Sequence, residues 1–420
     1  MVRGGMGTPL WGAAGKAGYA LSCLAAAVVL VLSGFSFFVV REVVSIGSSY
    51  AIQSGPSIGA QNILLMGLES RTDWNGNILS PDILAAMHAG SVQGVENGVG
   101  GNATNTLILI HIPAGGKKAV GFSIPRDDWV NLAGTLGEQQ VGKIDQAYGA
   151  AMAGRETQLR QQSSHLTQNQ IAFQGNEAGR AATVATVEQL TGVHIDHFAE
   201  VNLFGFYELA KVLGGVNVCL RAPVPKDSYS GFHARRAGYQ HLSPAMALAF
   251  VRQRHGLANG DLDRTHRQQA FLDSVIQQLR TGGVLSDLTK ISALLSVARQ
   301  YVITDSGWDL LDFAAQMRYL STGDLVFHTL PIVGYQTIDG QSANVVDPAH
   351  IKQIVQQTFY PAASPATAPG AAGAQGTANA RGPASAGPSA SSSSSPSSII
   401  PTAGPQGGAV SAKNGIPCVS

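Results

Sequence analysis

Thr104-Asn105-Thr106-Leu107-Ile108-Leu109-Ile110-His111-Ile112, then Pro113-Ala114-Gly115-Gly116, then Lys118-Ala119-Val120-Gly121-Phe122-Ser123-Ile124 reads as two apolar strands joined by a turn. Upstream, Asn62-Ile63-Leu64-Leu65-Met66-Gly67 is a short, continuous apolar run that stops at glycine, the pattern of a buried strand. Between these, residues 72–101 are rich in Gly and Asn and read as a long loop with a helix over 81–88. Downstream, the spacing predicts helices over 181–190, 205–213, 244–251, 262–279, 308–320 and 348–360. It predicts strands over 197–202, 216–220 and 324–333. Gly214-Gly215 is a helix stop, and Ser243-Pro244 is an N-cap followed by proline at the first helical position. Strands alternate with helices, which predicts an α/β fold with a mixed sheet and helices on both faces.

The two ends differ from this middle. Residues 17–40 carry no charged side chain, a stretch longer than the roughly 20 apolar residues that span a bilayer. Arg3 and Lys16 precede it, so the positive-inside rule puts residues 1–16 in the cytoplasm and everything after Val40 outside. A cleaved signal peptide is the alternative; the run exceeds a usual signal core and no clean A-x-A site follows closely. Residues 41–60 read as a stalk and 61–360 as the domain. Residues 361–420 read as an Ala/Gly/Ser/Pro-rich tail unable to bury enough apolar surface to order itself. The apolar segment and the tail explain why only 13% of the 420 residues are charged. A net charge of +1 rules out the global basic footprint of a nucleic-acid binder. The chain has no P-loop, no dinucleotide fingerprint after a strand, no G-x-S-x-G elbow and no CxxC pair. His194 and His197 could form a metal pair, but without further ligands nearby structural roles are favoured.

The chemistry-bearing residues cluster. Arg252-Gln253-Arg254 and Asp261-Leu262-Asp263-Arg264-Thr265-His266-Arg267-Gln268 place four arginines close together in a charge-poor chain. Arg264, Arg267, Gln268 and Phe271 fall at i, i+3, i+4 and i+7, so they share a helix face that Phe271 ties to the core. Converging guanidiniums suit phosphate; a solvated charged face is the plain alternative. Arg126-Asp127 and Glu69-Ser70-Arg71 each follow a predicted strand end, where ligands of open α/β sheets gather. Either pair alone is an ordinary surface ion pair. Together with the later block they suggest one site.

The order of these motifs resembles the LytR-CpsA-Psr family of Gram-positive bacteria. The stretches that carry the resemblance are Asn62–Arg71, Ser123-Ile124-Pro125-Arg126-Asp127, Lys143-Ile144-Asp145-Gln146-Ala147-Tyr148, Asp196-His197-Phe198 with Asn202, and Arg252–Gln268. The resemblance implies an α-β-α sandwich with a central mixed sheet and an apolar groove for a polyprenyl chain. It implies a phosphotransferase that moves an anionic glycopolymer from a polyprenyl-pyrophosphate carrier to a peptidoglycan hydroxyl, with Mg²⁺ or Mn²⁺ at the pyrophosphate. Arg71, Arg126, Arg252, Arg254, Arg264, Arg267 and Gln268 match family positions around the pyrophosphate. Asp127 and Asp261 match acids of the same motifs and are the candidates for handling the acceptor's proton; with Arg126 they form the expected catalytic set. Glu69 and Asn105 stand where the family's metal-binding aspartates do. Glu69 can reach a cation, whereas Asn105 offers only a neutral oxygen, so weakened metal dependence is expected. Two other readings stay open: a polyprenyl-pyrophosphate hydrolase, and a surface protein that only binds lipid-linked polymer. An outward-facing domain with no basic reading helix excludes nucleic acid as partner.

Of the three cysteines, Cys23 lies in the apolar segment, while Cys219 and Cys418 fall outside the membrane on this topology. An intramolecular Cys219–Cys418 disulfide is one expectation. A buried free Cys219 with an exposed Cys418 available for pairing between chains is the other.

Overall fold

The computed structural model describes residues 47–73, 77–97, 101–114, 118–134, 140–162, 165–281, 287–310, 312–313, 325–361 and 416–420. The expected membrane segment, most of the helix expected over 308–320 and most of the tail lie outside these residues. Among the described residues, no helix is long and apolar enough to cross a membrane.

In chain order the elements are β1 (Gly47–Ser49), β2 (Gln61–Leu68), α1 (Pro81–Ala86), α2 (Val92–Glu96), β3 (Thr104–Ile112), β4 (Ala119–Ile124), β5 (Trp129–Asn131), β6 (Val141–Lys143), α3 (Gln146–Gln162) and α4 (Gln168–Thr191). There follow β7 (His197–Asn202), α5 (Leu203–Val212), β8 (Val216–Leu220), β9 (Gly238–Leu242), α6 (Pro244–Arg252), α7 (Asp261–Thr281), α8 (Leu288–Tyr301) and β10 (Val302–Asp305). The last are β11 (Leu325–Thr329), β12 (Gly334–Ile338), β13 (Gln341–Val345), α9 (Pro348–Phe359) and β14 (Cys418–Val419).

The main sheet has seven strands in the order β1-β10-β7-β2-β3-β4-β11. It is mixed: β2 pairs parallel with β7 and antiparallel with β3, which pairs antiparallel with β4. The carboxyl ends of β2, β4 and β7 therefore reach the same edge. Side-chain alternation splits the sheet's two faces. Leu64, Met66, Leu107, Leu109 and Phe122 face one core, with Val184 and Val187 of α4 and Ile351 and Val355 of α9. Ile63, Leu65 and Ile110 face the other way. On that second side, α5, α6 and α7 pack with the small sheet β14-β8-β9 around Phe232, Phe250 and Leu248. The expected α/β fold with helices on both faces is what the chain adopts.

Several boundaries differ from the sequence reading. Helix α3 and the first half of α4 were not expected: α3 reads as QAYGAAMAGRETQLRQQ, and it buries Ala147, Tyr148, Ala151 and Leu159. A capping box between Thr167 and Gln170 starts α4, and Gly192 at φ 72° ends it. Gly179 of α4 lies against the Tyr148 ring, where a Cβ would sit 2.7 Å away. That approach buries Tyr148 with its hydroxyl 3.3 Å from Glu200, which also accepts from Arg180 at 2.8 Å. The expected stalk is a correction, because Gly47–Ser49 pairs parallel with β10 and extends the sheet. The expected disordered tail is corrected at its end. Residues 416–420 are folded onto the domain, β14 pairs parallel with β8, and Cys219 and Cys418 are disulfide-bonded.

Candidate active site

The site is assembled at the carboxyl edge of β2, β4 and β7. Pairing of β2 with β3 slips between Gly67 and Leu68, whose partners are Thr106 and Thr104. Asn105 is the extra residue, and such a bulge re-aims a side chain. Just past β2, Arg71 donates through Nε to the Ala89 carbonyl at 2.6 Å and through Nη2 to Glu69 Oε1 at 3.0 Å. At the end of α6, Arg252 donates to the Met87 carbonyl at 2.8 Å. Beyond β4, Arg126 donates through Nη1 to the Asn105 side-chain oxygen. Arg264, in the first turn of α7, donates to the Asn105 carbonyl at 3.1 Å. Four separate segments, one of them carrying both Arg252 and Arg254, thus bring Arg71, Arg126, Arg252, Arg254 and Arg264 to one place.

Acids hold the guanidiniums. Asp261 Oδ1 lies 2.7 Å from Arg264 Nη2, 3.6 Å from Arg254 Nε and 3.7 Å from Arg126 Nε. Asp127 Oδ1 accepts from Lys143 at 2.9 Å and lies 3.7 Å from Arg126 Nε. Burial opposes charge on both Arg126 and Asp127. The carboxylates of Asp145, Asp127 and Asp261 outweigh it at Arg126 and raise its pKa, while Arg126, Lys143 and Arg254 outweigh it at Asp127 and lower its pKa. Asp145 stands 3.3 Å from Arg126 Nη1. An ion pair alone would lower the Asp145 pKa, yet burial dominates and pushes it up to about 6. Arg264 is brought down to about 10 by burial against the pull of Asp261. Several guanidinium N–H groups here have no hydrogen-bond partner, namely Arg71 Nη1, Arg126 Nε and Arg264 Nε. Buried orphan donors of this kind await an acceptor.

Beneath the arginines lies a cavity of about 620 Å³. Leu65 and Ile108 of the sheet, Phe206 and Leu209 of α5, and Phe271 and Leu272 of α7 line it. Glu69, Arg71, Asn105, Arg252, Arg254, Arg264 and Gln268 form its polar end. The arrangement joins an apolar chamber to a cationic mouth, which fits an amphiphile whose head carries several negative charges.

Arg126, Asp127 and Asp261 do not line the cavity themselves but stand behind Asn105, Arg254 and Arg264, whereas Arg267 is apart from the site. It is fully buried away from the cavity, with Nε 2.5 Å from the Ser420 carbonyl and Nη1 2.7 Å from Gln253 Oε1. Its guanidinium is 4.9 Å from the ring centroids of both Phe232 and Phe250. The shared helix face holds for Arg264, Gln268 and Phe271, and Arg267 turns the other way. The two residues expected to bind metal are both engaged by arginines. Asn105 Oδ1 is taken by Arg126, and Glu69 Oε1 lies 3.0 Å from Arg71 and 3.9 Å from Arg252. Among the described residues, no group of three or more His, Cys, Asp or Glu side chains could hold a metal ion. One carboxylate enclosed by guanidiniums does not fit a resident divalent cation. His194 and His197 do not converge: the exposed His194 pairs with Glu188, and the buried His197 pairs with Asp305 at 2.9 Å. Sequence reading assigned no role to Lys143 or Asp145, although both stand in the quoted Lys143–Tyr148 motif.

The LytR_cpsA_psr family profile matches residues 45–359, and the chain belongs to that family. It is 36% identical to the cell wall biosynthesis protein LcpA of Corynebacterium glutamicum over 74% of this chain and 58% of the relative. It is 28% identical to the Bacillus cereus polyisoprenyl-teichoic acid–peptidoglycan teichoic acid transferase TagU, over 53% of this chain and 61% of the relative. The chain thus spans about three fifths of the length of these relatives. A solved structure, the Streptococcus agalactiae protein gbs0355, shares the fold at a TM-score of 0.50 and 17% identity, covering 71% of this chain and 86% of that one.

Proposed function

We propose that the protein is a phosphotransferase that moves an anionic glycopolymer from a polyprenyl-pyrophosphate carrier to a peptidoglycan hydroxyl. The observation that carries this reading is the apolar cavity ending at the converging arginines. A polyprenyl chain fills the chamber, where each buried CH₂ contributes about 0.8 kcal/mol. The pyrophosphate then lies among Arg71, Arg126, Arg252, Arg254 and Arg264. Phosphoryl transfer depends mainly on positioning and charge neutralisation, which these side chains supply. The acceptor oxygen forms a bond to the sugar-bearing phosphorus, the bridging P–O bond breaks, and polyprenyl phosphate leaves. The acceptor proton goes to a nearby carboxylate. Asp127 and Asp261 are the candidates, and against the opposing effect of burial the cations around Asp127, Arg126 and Lys143, lower its pKa and with it its basicity.

A lipid-borne substrate also accounts for a membrane anchor over 17–40, with residues 1–16 cytoplasmic and the domain on the outer face. The test is product analysis by mass spectrometry. Full-length protein is mixed with a prenyl-pyrophosphoryl saccharide and peptidoglycan fragments. Phosphodiester-linked glycan on the fragments supports the reading. Prenyl phosphate release only to water favours the hydrolase, and binding without turnover favours the surface binder.

A further inference from the structure

Tyr229 is 68% exposed and yet lines the mouth of the cavity, together with Ser230 and His255. Its ring stacks on that of His255, with centroids 3.8 Å apart and planes 20° from parallel. Neither ring is on a loose loop. The Asp227 carboxylate accepts from the Tyr229 N–H at 3.1 Å, the Ser230 N–H at 3.0 Å and the Ser230 hydroxyl at 2.5 Å. The loop's far side is pinned by the buried Phe232, whose carbonyl accepts from the Asp227 N–H at 2.8 Å. The His255 carbonyl accepts from Gln253 Nε2 at 2.9 Å, and Gln253 is itself buried and held by Arg267. An exposed aromatic pair fixed by buried anchors is a surface prepared for contact.

The site has a direction. Side-chain exposure rises from 4% at Arg264, through 14% at Arg126 and 16% at Arg252, to 39% at Arg254. His255 follows Arg254 in the chain, and Tyr229 stacks beside it. A pyrophosphate bound along the arginines has its lipid in the apolar chamber, so the group on its other phosphate leaves past Arg254 toward these rings. On the reading proposed above, that group is a sugar. One face of a pyranose is a set of C–H groups with slight positive charge, which suits the negative face of an aromatic ring. The hydroxyls at its rim suit the Tyr229 phenol.

We propose that Tyr229, backed by His255, is the stacking platform for the first sugar on the pyrophosphate, and so a determinant of which glycopolymer is accepted. The proposal rests on the pyrophosphate reading of the arginine cluster. Its test compares two probes on the full chain by calorimetry: farnesyl pyrophosphate, and the same lipid carrying N-acetylglucosamine on the terminal phosphate. Tyr229→Ala should weaken the sugar-bearing probe about tenfold and leave the bare one within about twofold. Tyr229→Phe should keep most of the preference, and the exposed position should leave Tm unchanged in both variants. Equal losses for the two probes, or none for either, would overturn the platform while leaving the pyrophosphate site standing. Failure of the wild-type protein to bind either probe would overturn both.

Discussion

The side-chain oxygen of Asn105 accepts a hydrogen bond from Nη1 of Arg126. A carboxylate here would attract a divalent cation, whereas the neutral amide, aimed by the β-bulge, is satisfied by a guanidinium. Binding of inorganic pyrophosphate should therefore survive EDTA. Asn105→Asp adds a second carboxylate near Glu69 and should make that binding rise on addition of Mg²⁺. Calorimetry with and without chelator checks both. Loss of wild-type binding in EDTA would return Asn105 and Glu69 to the role of metal ligands.

The arginines should differ in what their removal damages. Arg254 is the most exposed of them, so Arg254→Ala should reduce turnover at least tenfold with Tm unchanged. Arg126→Ala and Arg264→Ala should also reduce turnover at least tenfold. They should lower Tm as well, because these two guanidiniums are themselves enclosed, at 14% and 4% exposure, and their removal leaves a gap among half-buried carboxylates. Arg264→Lys, which keeps the charge, separates lost charge from lost folding. Near-wild-type turnover in Arg126→Ala and Arg264→Ala would remove the cluster from the reaction.

The sheet was readable because its central strands are continuous apolar runs closed by Gly and Pro, as in 62–67 and 104–124. Helix α3 was not, because its core face has only Tyr148 and Leu159 as large apolar side chains, eleven positions apart, with Ala147 and Ala151 beside them, so the periodic contrast is low. The converging arginines were legible from their places at strand ends. Arg267 misled because helical spacing puts i and i+3 on one broad face without saying which neighbour each side chain meets. Its neighbours, Phe232, Phe250 and Ser420, come from distant parts of the chain. Strand β1 hid in the supposed stalk because three residues, Gly47–Ser49, carry no pattern, and only their pairing with β10 makes a strand.

Asp273 on α7 gives a pH signature. Burial pushes its pKa up to about 7 from an ordinary value of 3.8. Between these pH values the folded protein keeps a proton that the unfolded chain has lost, so this group's contribution to stability falls as pH rises and levels off above about 7. Asp273→Asn has no proton to lose. Its Tm should match the wild type near pH 4 and exceed it by about 5 °C at pH 8. Thermal melts of both proteins across this range check the sign. A gap that shrinks with rising pH would refute the burial argument.

The C-terminal segment should be a structural strap. Cys418 is bonded to Cys219, its carbonyl accepts from Arg221 Nε at 3.0 Å, and the Ser420 carbonyl accepts from Arg267. Peptide mapping without reductant should recover residues 219 and 418 as one linked pair. In the chain-entropy account a loop this long is worth about 5 kcal/mol, so Cys418→Ser should lower Tm markedly. Deleting 416–420 should cost more, since it also strips a partner from the buried Arg267 guanidinium. The two effects can be separated by a cycle in the Cys418→Ser background, with Arg267→Met as the second change. If the carbonyl of Ser420 stabilises Arg267, the deletion should cost less once Arg267 is Met. Equal costs in the presence of Arg267 and of Met would leave the disulfide and β-pairing as the whole of the strap.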